Sequence, residues 1–281
     1  MSTDPSPRFA RRPRQRIRLT ARDLQAVVAV FEARYLTNRQ IGRLLFGRED
    51  SSHARQRLRY LFDLDYVRKR EAGPNEPDIY YLGLKGRRYV AAQGLCDRET
   101  ADRVAGVAGD DVATPALMMS HELTLSGLYV SARLQCQRLG WGLHWRNARW
   151  LELERLGMQP DGWLAVYTGA DPETPPRQAY LEFTAAMPTG PELRGKLARY
   201  RAYWERTRVP AAVLWFTTSR RKADALLEAI HQDPYRDCYL VGLIEDSAAF
   251  LTAPIWRWGD REPGHTREVV SWIHASSAAL G

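Results

Sequence analysis

The chain has 281 residues, 44% of them hydrophobic, 26% charged and 10% aromatic, which is room for two ordinary domains and excludes disordered and fibrous classes. Formal net charge is +8, yet residues 1–93 hold 20 Lys/Arg against 10 Asp/Glu while the remainder holds 21 against 23. A basic module joined to a near-neutral one implies a polyanion partner for the first module alone.

Residues 1–18 mix proline with arginine and are too polar to fold alone; they read as a basic disordered arm that adds non-specific DNA affinity. From residue 19 to 93 the pattern is regular. Thr20 with Asp23, and Thr37 with Gln40, have the spacing of capping boxes. The first opens a helix burying Leu24, Val27, Val28 and Phe31; the second opens one burying Ile41, Leu44 and Leu45. Ser51 or Ser52 caps a third helix, with Ala54, Leu58, Leu61 and Phe62 on one side. At ~100° per residue its other side shows Ser52, His53, Gln56, Arg59 and Tyr60, flanked by Arg55 and Arg57. Two extended runs, Tyr66–Arg70 and Ile79–Leu82, follow around the turn-rich AGPNEPD, and a helix over Lys85–Ala92 closes the unit.

Three helices, a hairpin and a helix make a winged helix-turn-helix. Its third helix is the candidate reader of the major groove, because the exposed face offers Ser52, His53, Arg55, Gln56, Arg57 and Arg59 with no acid before Asp63. Arg68, Lys69 and Arg70 on the hairpin are candidate contacts to phosphates or the adjacent minor groove. The competing use of such a domain is a protein contact.

Residues 94–114 are small, acidic and glycine-bearing, a linker that is either a hinge or a marginal helix. The second domain spans 115–281. A long helix from Pro115 to Leu139 is followed by expected strands at Gly142–Trp145, Arg149–Glu154, Gly162–Tyr167 and Arg177–Phe183. A helix over Pro191–Arg206, a continuous apolar strand over Ala211–Thr217, a helix over Lys222–His231 and a strand over Tyr239–Ile244 complete the alternation. This is an α/β layer with a mixed sheet.

Few residues there could carry chemistry. Asp161 follows a proline just before a strand, and Glu182 sits inside the next apolar strand. Two such carboxylates can ligate one Mg²⁺, with Lys196 to stabilise phosphate charge. Turn chemistry alone also explains Asp161, and an ion pair with Lys196 would also satisfy Glu182. His121 and Glu122 read as a solvated pair. Three cysteines far apart (Cys96, Cys136, Cys238) argue against a disulfide framework and a zinc site, and no P-loop, HExxH or Gly-x-Ser-x-Gly motif is present. No run approaches the ~18–20 apolar residues of a membrane span and no signal-peptide core opens the chain, so a cytoplasmic location with no membrane partner is expected.

The strings LTARDLQAVVAV, RYLTNRQIGRLLFG, ARQRLRYLFDLDYVRKR and YYLGLKGRRYV, then SHELTLSGLYVSARL, QPDGWLAV, AYLEFT, LRGKLARYRAYW and VLWFTTSRR, resemble the replication-relaxation family over residues 18–220. That resemblance implies a protein of a plasmid or mobile element, acting in replication, relaxation or transfer of DNA, with a relaxase or a replication initiator as partner. The second half is also similar to the PD-(D/E)XK nuclease core, in which Pro160-Asp161 would be the first acidic motif and Glu182 the second. Thr184 stands where that motif has its lysine, and Lys196 would substitute from the helix. Three readings follow: a DNA-binding protein on a degenerate nuclease fold, an active Mg²⁺-dependent nickase using Asp161, Glu182 and Lys196, or a transcriptional regulator that homodimerises through its second half.

Overall fold

The computed structural model describes residues 11, 18–70, 76–106, 116–151, 153, 157–169, 175–208, 211–258 and 266–267. They belong to two compact units, Met1–Gly127 and Leu128–Gly281. Most of the basic arm, the hairpin tip at 71–75 and the stretch 107–115 lie outside the described residues.

In the first unit, α1 (Ala21–Ala33) and α2 (Asn38–Phe46) both start at complete capping boxes. Thr20 accepts from the Asp23 amide while Asp23 reaches back to Thr20, and Thr37 and Gln40 repeat the exchange. Each cap stabilises its helix by about 1 kcal/mol. α2 ends on Gly47, whose φ of 73° is the left-handed conformation that glycine adopts without a Cβ penalty. α3 (Ser52–Asp63) is capped by Ser51 and buries Ala54, Leu58, Leu61 and Phe62, the face expected from its sequence.

Strands β2 (Val67–Arg70) and β3 (Ile79–Leu82) pair antiparallel, Val67 opposite Leu82 and Arg70 opposite Ile79. A two-residue strand, β1 (Leu36–Thr37), joins the far side of β3, so the sheet order is β1-β3-β2. α4 (Leu84–Ala92) packs so close to the hairpin that a Cβ on Gly86 would lie 2.1 Å from the Tyr66 carbonyl oxygen.

The segment expected as hinge or marginal helix contains α5 (Arg98–Ala105), N-capped by Asp97 and burying Ala101 and Val104 against its neighbours. The division between units falls within α6 (Ala116–Leu139). In the first unit, Ser126 donates to the Tyr35 carbonyl at 2.5 Å. Glu122 stays partly exposed and also accepts from the buried Arg34 at 2.5 Å.

The second unit is a seven-stranded mixed sheet in the order β10-β9-β8-β7-β6-β5-β4. β4 (Gly142–Asn147), β5 (Gly162–Tyr167) and β6 (Arg177–Thr184) are antiparallel. β7 (Ala212–Thr217) runs parallel to β6 and to β8 (Tyr239–Leu243), while β9 (Trp256–Trp258) and β10 (Thr266–Arg267) return antiparallel. β7 is buried at every position, as its unbroken apolar run requires of a central strand.

The crossover helices α8 (Gly190–Thr207) and α9 (Arg220–His231) pack on one face, where Leu197, Tyr200, Trp204, Leu226 and Ile230 meet Tyr180, Val213, Trp215 and Tyr239. On the other face Phe216, Phe250 and Trp256 stack edge to face.

One expected strand is overturned. Described residues 149–151 and 153 do not continue the sheet: β4 stops at Asn147, whose side chain accepts the Trp150 amide at 3.1 Å and opens α7 (Ala148–Leu151). Leu151 and Leu153 alternate as in a strand, yet they lie in a helix and the turn after it, and the side chain of asparagine decides it. Among the described residues no helix is long and apolar enough to cross a membrane.

Candidate functional site

Two places in the molecule gather the expected site residues. The first is the N-terminal end of α3. Ser52, His53, Arg55 and Gln56 are exposed there, with Arg55 4.0 Å from Asp50 and Gln56 bonded within its own helix face, to Tyr60 at 3.0 Å.

Beside them a groove of about 780 Å³ is lined by Arg22, Phe46, Arg48, His53 and Arg57. Arg22 lies over the Phe46 ring at 5.2 Å. Arg22 and Arg48 both stand exposed next to the helix end, and the sequence reading missed them because they come from α1 and from the loop after α2.

The remaining arginines of α3 are committed elsewhere. Arg57 donates to Asp23 through Nε at 2.7 Å and through its terminal nitrogen, and also reaches the Arg18 carbonyl at 3.2 Å. Burial would raise the Asp23 carboxyl, but the hydrogen bonds from Arg57 and Thr20 outweigh it and hold it below the usual carboxylate range. Arg59 pairs with Asp63 at 3.1 Å. On the hairpin, Lys69 is paired to Asp78 at 3.3 Å with its side chain 7% exposed, whereas Arg68 is 37% exposed and 4.0 Å from Asp65. Arg11 also reaches Asp65, at 2.5 Å.

The second place is a buried carboxylate on the α8 face of the large sheet. The β5–β6 register sets Gly162 opposite Leu181, so Asp161 continues it opposite Glu182, and the Asp161 amide donates to the Leu181 carbonyl at 3.0 Å. Asp161 in turn accepts the Phe183 amide at 2.8 Å. Glu182 has no exposed surface. One of its oxygens accepts from the Lys196 ammonium and the other from the Tyr200 hydroxyl at 2.7 Å. Tyr200 follows Lys196 by four residues and so shares its helix face.

Thr184 accepts the Trp215 indole N–H at 2.9 Å, and Lys196 sits over that indole at 5.4 Å. The three residues singled out from sequence are therefore brought together, with Tyr200 and Trp215 added. Burial pushes the Glu182 carboxyl up to about 8, against the pull of Lys196 and with the push of Asp161.

These residues do not fit the Mg²⁺ that the nuclease resemblance implies. The ion needs several oxygen ligands with room for water, but both oxygens of Glu182 are already held and an ammonium stands where a cation would bind. Among the described residues no group of three His, Cys, Asp or Glu could hold a metal.

The replication-relaxation family model matches residues 26–213, two thirds of the chain, and the protein belongs to that family. Membership links it to replication and relaxation of DNA. No curated protein and no solved structure matches the chain.

Proposed function

We propose that this protein is a duplex-DNA-binding protein of a mobile element, in which the first unit is a winged helix-turn-helix and the second a nuclease-like fold that no longer cuts. The observation that carries the reading is the exposed N-terminal turn of α3, where Ser52, His53, Arg55 and Gln56 stand clear beside Arg22 and Arg48. The ends of recognition helices that meet base edges are their N-terminal residues. In this reading the direct base contacts come from Gln56, Arg55 and His53, Arg68 meets a phosphate, and Arg57, Arg59 and Lys69 hold the domain together.

The second half of the proposal is supported by element order. Apart from the four-residue α7 between β4 and β5, α6, β4, β5, β6, α8 and β7 run as helix, three strands, helix and strand, with β7 parallel to β6. That is the order expected of the PD-(D/E)XK core. Its acidic pair would be Asp161 and Glu182, but Thr184 is tied to Trp215, and Lys196 neutralises Glu182 instead of waiting beside a scissile phosphate.

The test is one preparation with two readouts. Anisotropy of a labelled duplex across a salt series should show affinity falling steeply with salt, since each neutralised phosphate contributes a slope of about −0.9. Salt-indifferent affinity overturns the DNA-binding half. Supercoiled plasmid incubated with Mg²⁺, Mn²⁺ or EDTA should stay uncut in every lane. Metal-dependent nicking that vanishes in Asp161→Ala and Glu182→Ala would overturn the other half.

A further inference from the structure

The sheet face that carries Glu182 continues onto β5 and β4, where β4 is an edge strand. Along β4, Gly142, His144 and Arg146 are exposed and alternate with buried Leu143, Trp145 and Asn147. Register puts His144 beside Ala165 and Arg146 beside Trp163, and Trp163 in turn beside Tyr180 of β6. On this strip Arg146 and His144 both face aromatic rings. Arg146 lies 5.2 Å from the Trp163 ring and 5.4 Å from that of Trp150 on α7, and His144 meets Tyr167 edge to face at 4.9 Å. β4, α7 and β5 together carry Arg146 and Arg149 and no carboxylate.

Aromatic rings alone would be ordinary sheet packing. Here Trp163, Trp150 and Tyr167 are only half-buried, and while Trp163 packs one side on the core, Arg146 lies against Trp163 and Trp150 and His144 against Tyr167. A planar cation held against indole rings extends the flat surface they present, on which a nucleobase can stack, with positive charge at its rim for the backbone. A duplex keeps its base faces stacked inside and cannot use such a surface; an unpaired strand can.

We propose that this strip is a second nucleic-acid site, a stacking platform for single-stranded DNA centred on Arg146, Trp150, Trp163 and Tyr167. The choice of DNA over RNA rests on the DNA-binding reading above; the platform itself does not.

The full-length protein is titrated into fluorescein-labelled oligothymidylate with unlabelled duplex present at saturation, so that the first unit is occupied. Binding of the oligonucleotide should persist. Arg146→Ala and Trp150→Ala should each weaken it about tenfold or more while duplex affinity stays as it was. Arg146→Lys, which keeps the charge and loses the plane, should weaken it several-fold with an unchanged thermal melt. Displacement of the oligonucleotide by duplex, or variants that bind it like the parent, overturns the platform. Tighter binding of oligouridylate overturns the choice of DNA. A protein that binds oligothymidylate but no duplex leaves the platform standing and sinks the first-unit reading instead.

Discussion

The Lys196 ammonium donates to Glu182, a carboxylate with no exposed surface, and the Lys196 side chain itself keeps 26% of its exposure. One partner is thus sealed in the sheet face and the other reaches it from solvent along α8. A buried pair of this kind adds little over two apolar residues, but removal of one partner alone leaves the other stranded. Above pH 8, where Glu182 is ionised, Lys196→Met should therefore lower unfolding free energy by about 3 kcal/mol, and Lys196→Met with Glu182→Gln should restore much of the loss. Urea unfolding of the four members of that cycle measures it; additive single losses would show that the two groups do not depend on each other.

The same carboxyl sets a pH dependence. Its folded value, raised by burial to about 8, lies above the ordinary glutamate value of 4.5, so the folded state holds a proton that the unfolded chain releases. The stability this contributes is complete below about 4.5 and is lost as pH rises through about 8. Unfolding free energy measured from pH 5 to 9 should fall in the parent, and the slope should flatten in Glu182→Gln. A parent curve that rises over that window contradicts the assignment.

On α3, neighbouring positions should separate binding from folding. Gln56→Ala should leave the melt in place and relax preference at one base pair by about 1–3 kcal/mol. Arg57→Ala should instead unfold the first unit more easily, because it strips the buried Asp23 of its cation. Competition binding on variant duplexes and thermal unfolding, run together, distinguish the two; a Gln56→Ala protein with unchanged sequence preference removes that residue from the interface.

The hairpin divides in the same way. Arg68→Ala should reduce the salt slope of duplex binding by about 0.9 without altering preference among sequences. Lys69→Ala should show its effect in stability, since Lys69 is enclosed with Asp78. Equal slopes for parent and Arg68→Ala would place the hairpin away from the phosphates.

How much of this was legible in the sequence depends on the range of the forces involved. Capping boxes at Thr20 and Thr37, the apolar stripe of α3 and the unbroken run of β7 are local patterns, and each reappears in the fold at its expected place. The stop of β4 at Asn147 turned on one side-chain hydrogen bond, which strand-like alternation concealed. β9 and β10 are three and two residues long, too short to show a period. The meeting of Asp161, Glu182 and Lys196 could be guessed from strand order. The closure of Glu182 by Tyr200, and of Arg57 by Asp23, needed the third dimension, because periodicity tells which side a residue faces and nothing of what it touches there.

Gly86 tests whether the first unit needs its close helix-to-hairpin approach. Any Cβ at this position would lie 2.1 Å from the Tyr66 carbonyl oxygen and 2.9 Å from a Leu82 methyl carbon. The carbonyl cannot move freely, because it accepts the Gly83 amide at 2.9 Å at the turn into α4. Gly86→Ala must therefore push α4 away from β2 and β3, although alanine is the better helix former by about 1 kcal/mol. Overpacking of this sort costs about 1–3 kcal/mol, so the substitution should lower the melting temperature of the first unit. It should weaken duplex binding only as far as it unfolds the domain. A raised melting temperature would mean that helix propensity wins and that the contact between α4 and the hairpin is looser than the 2.1 Å spacing states.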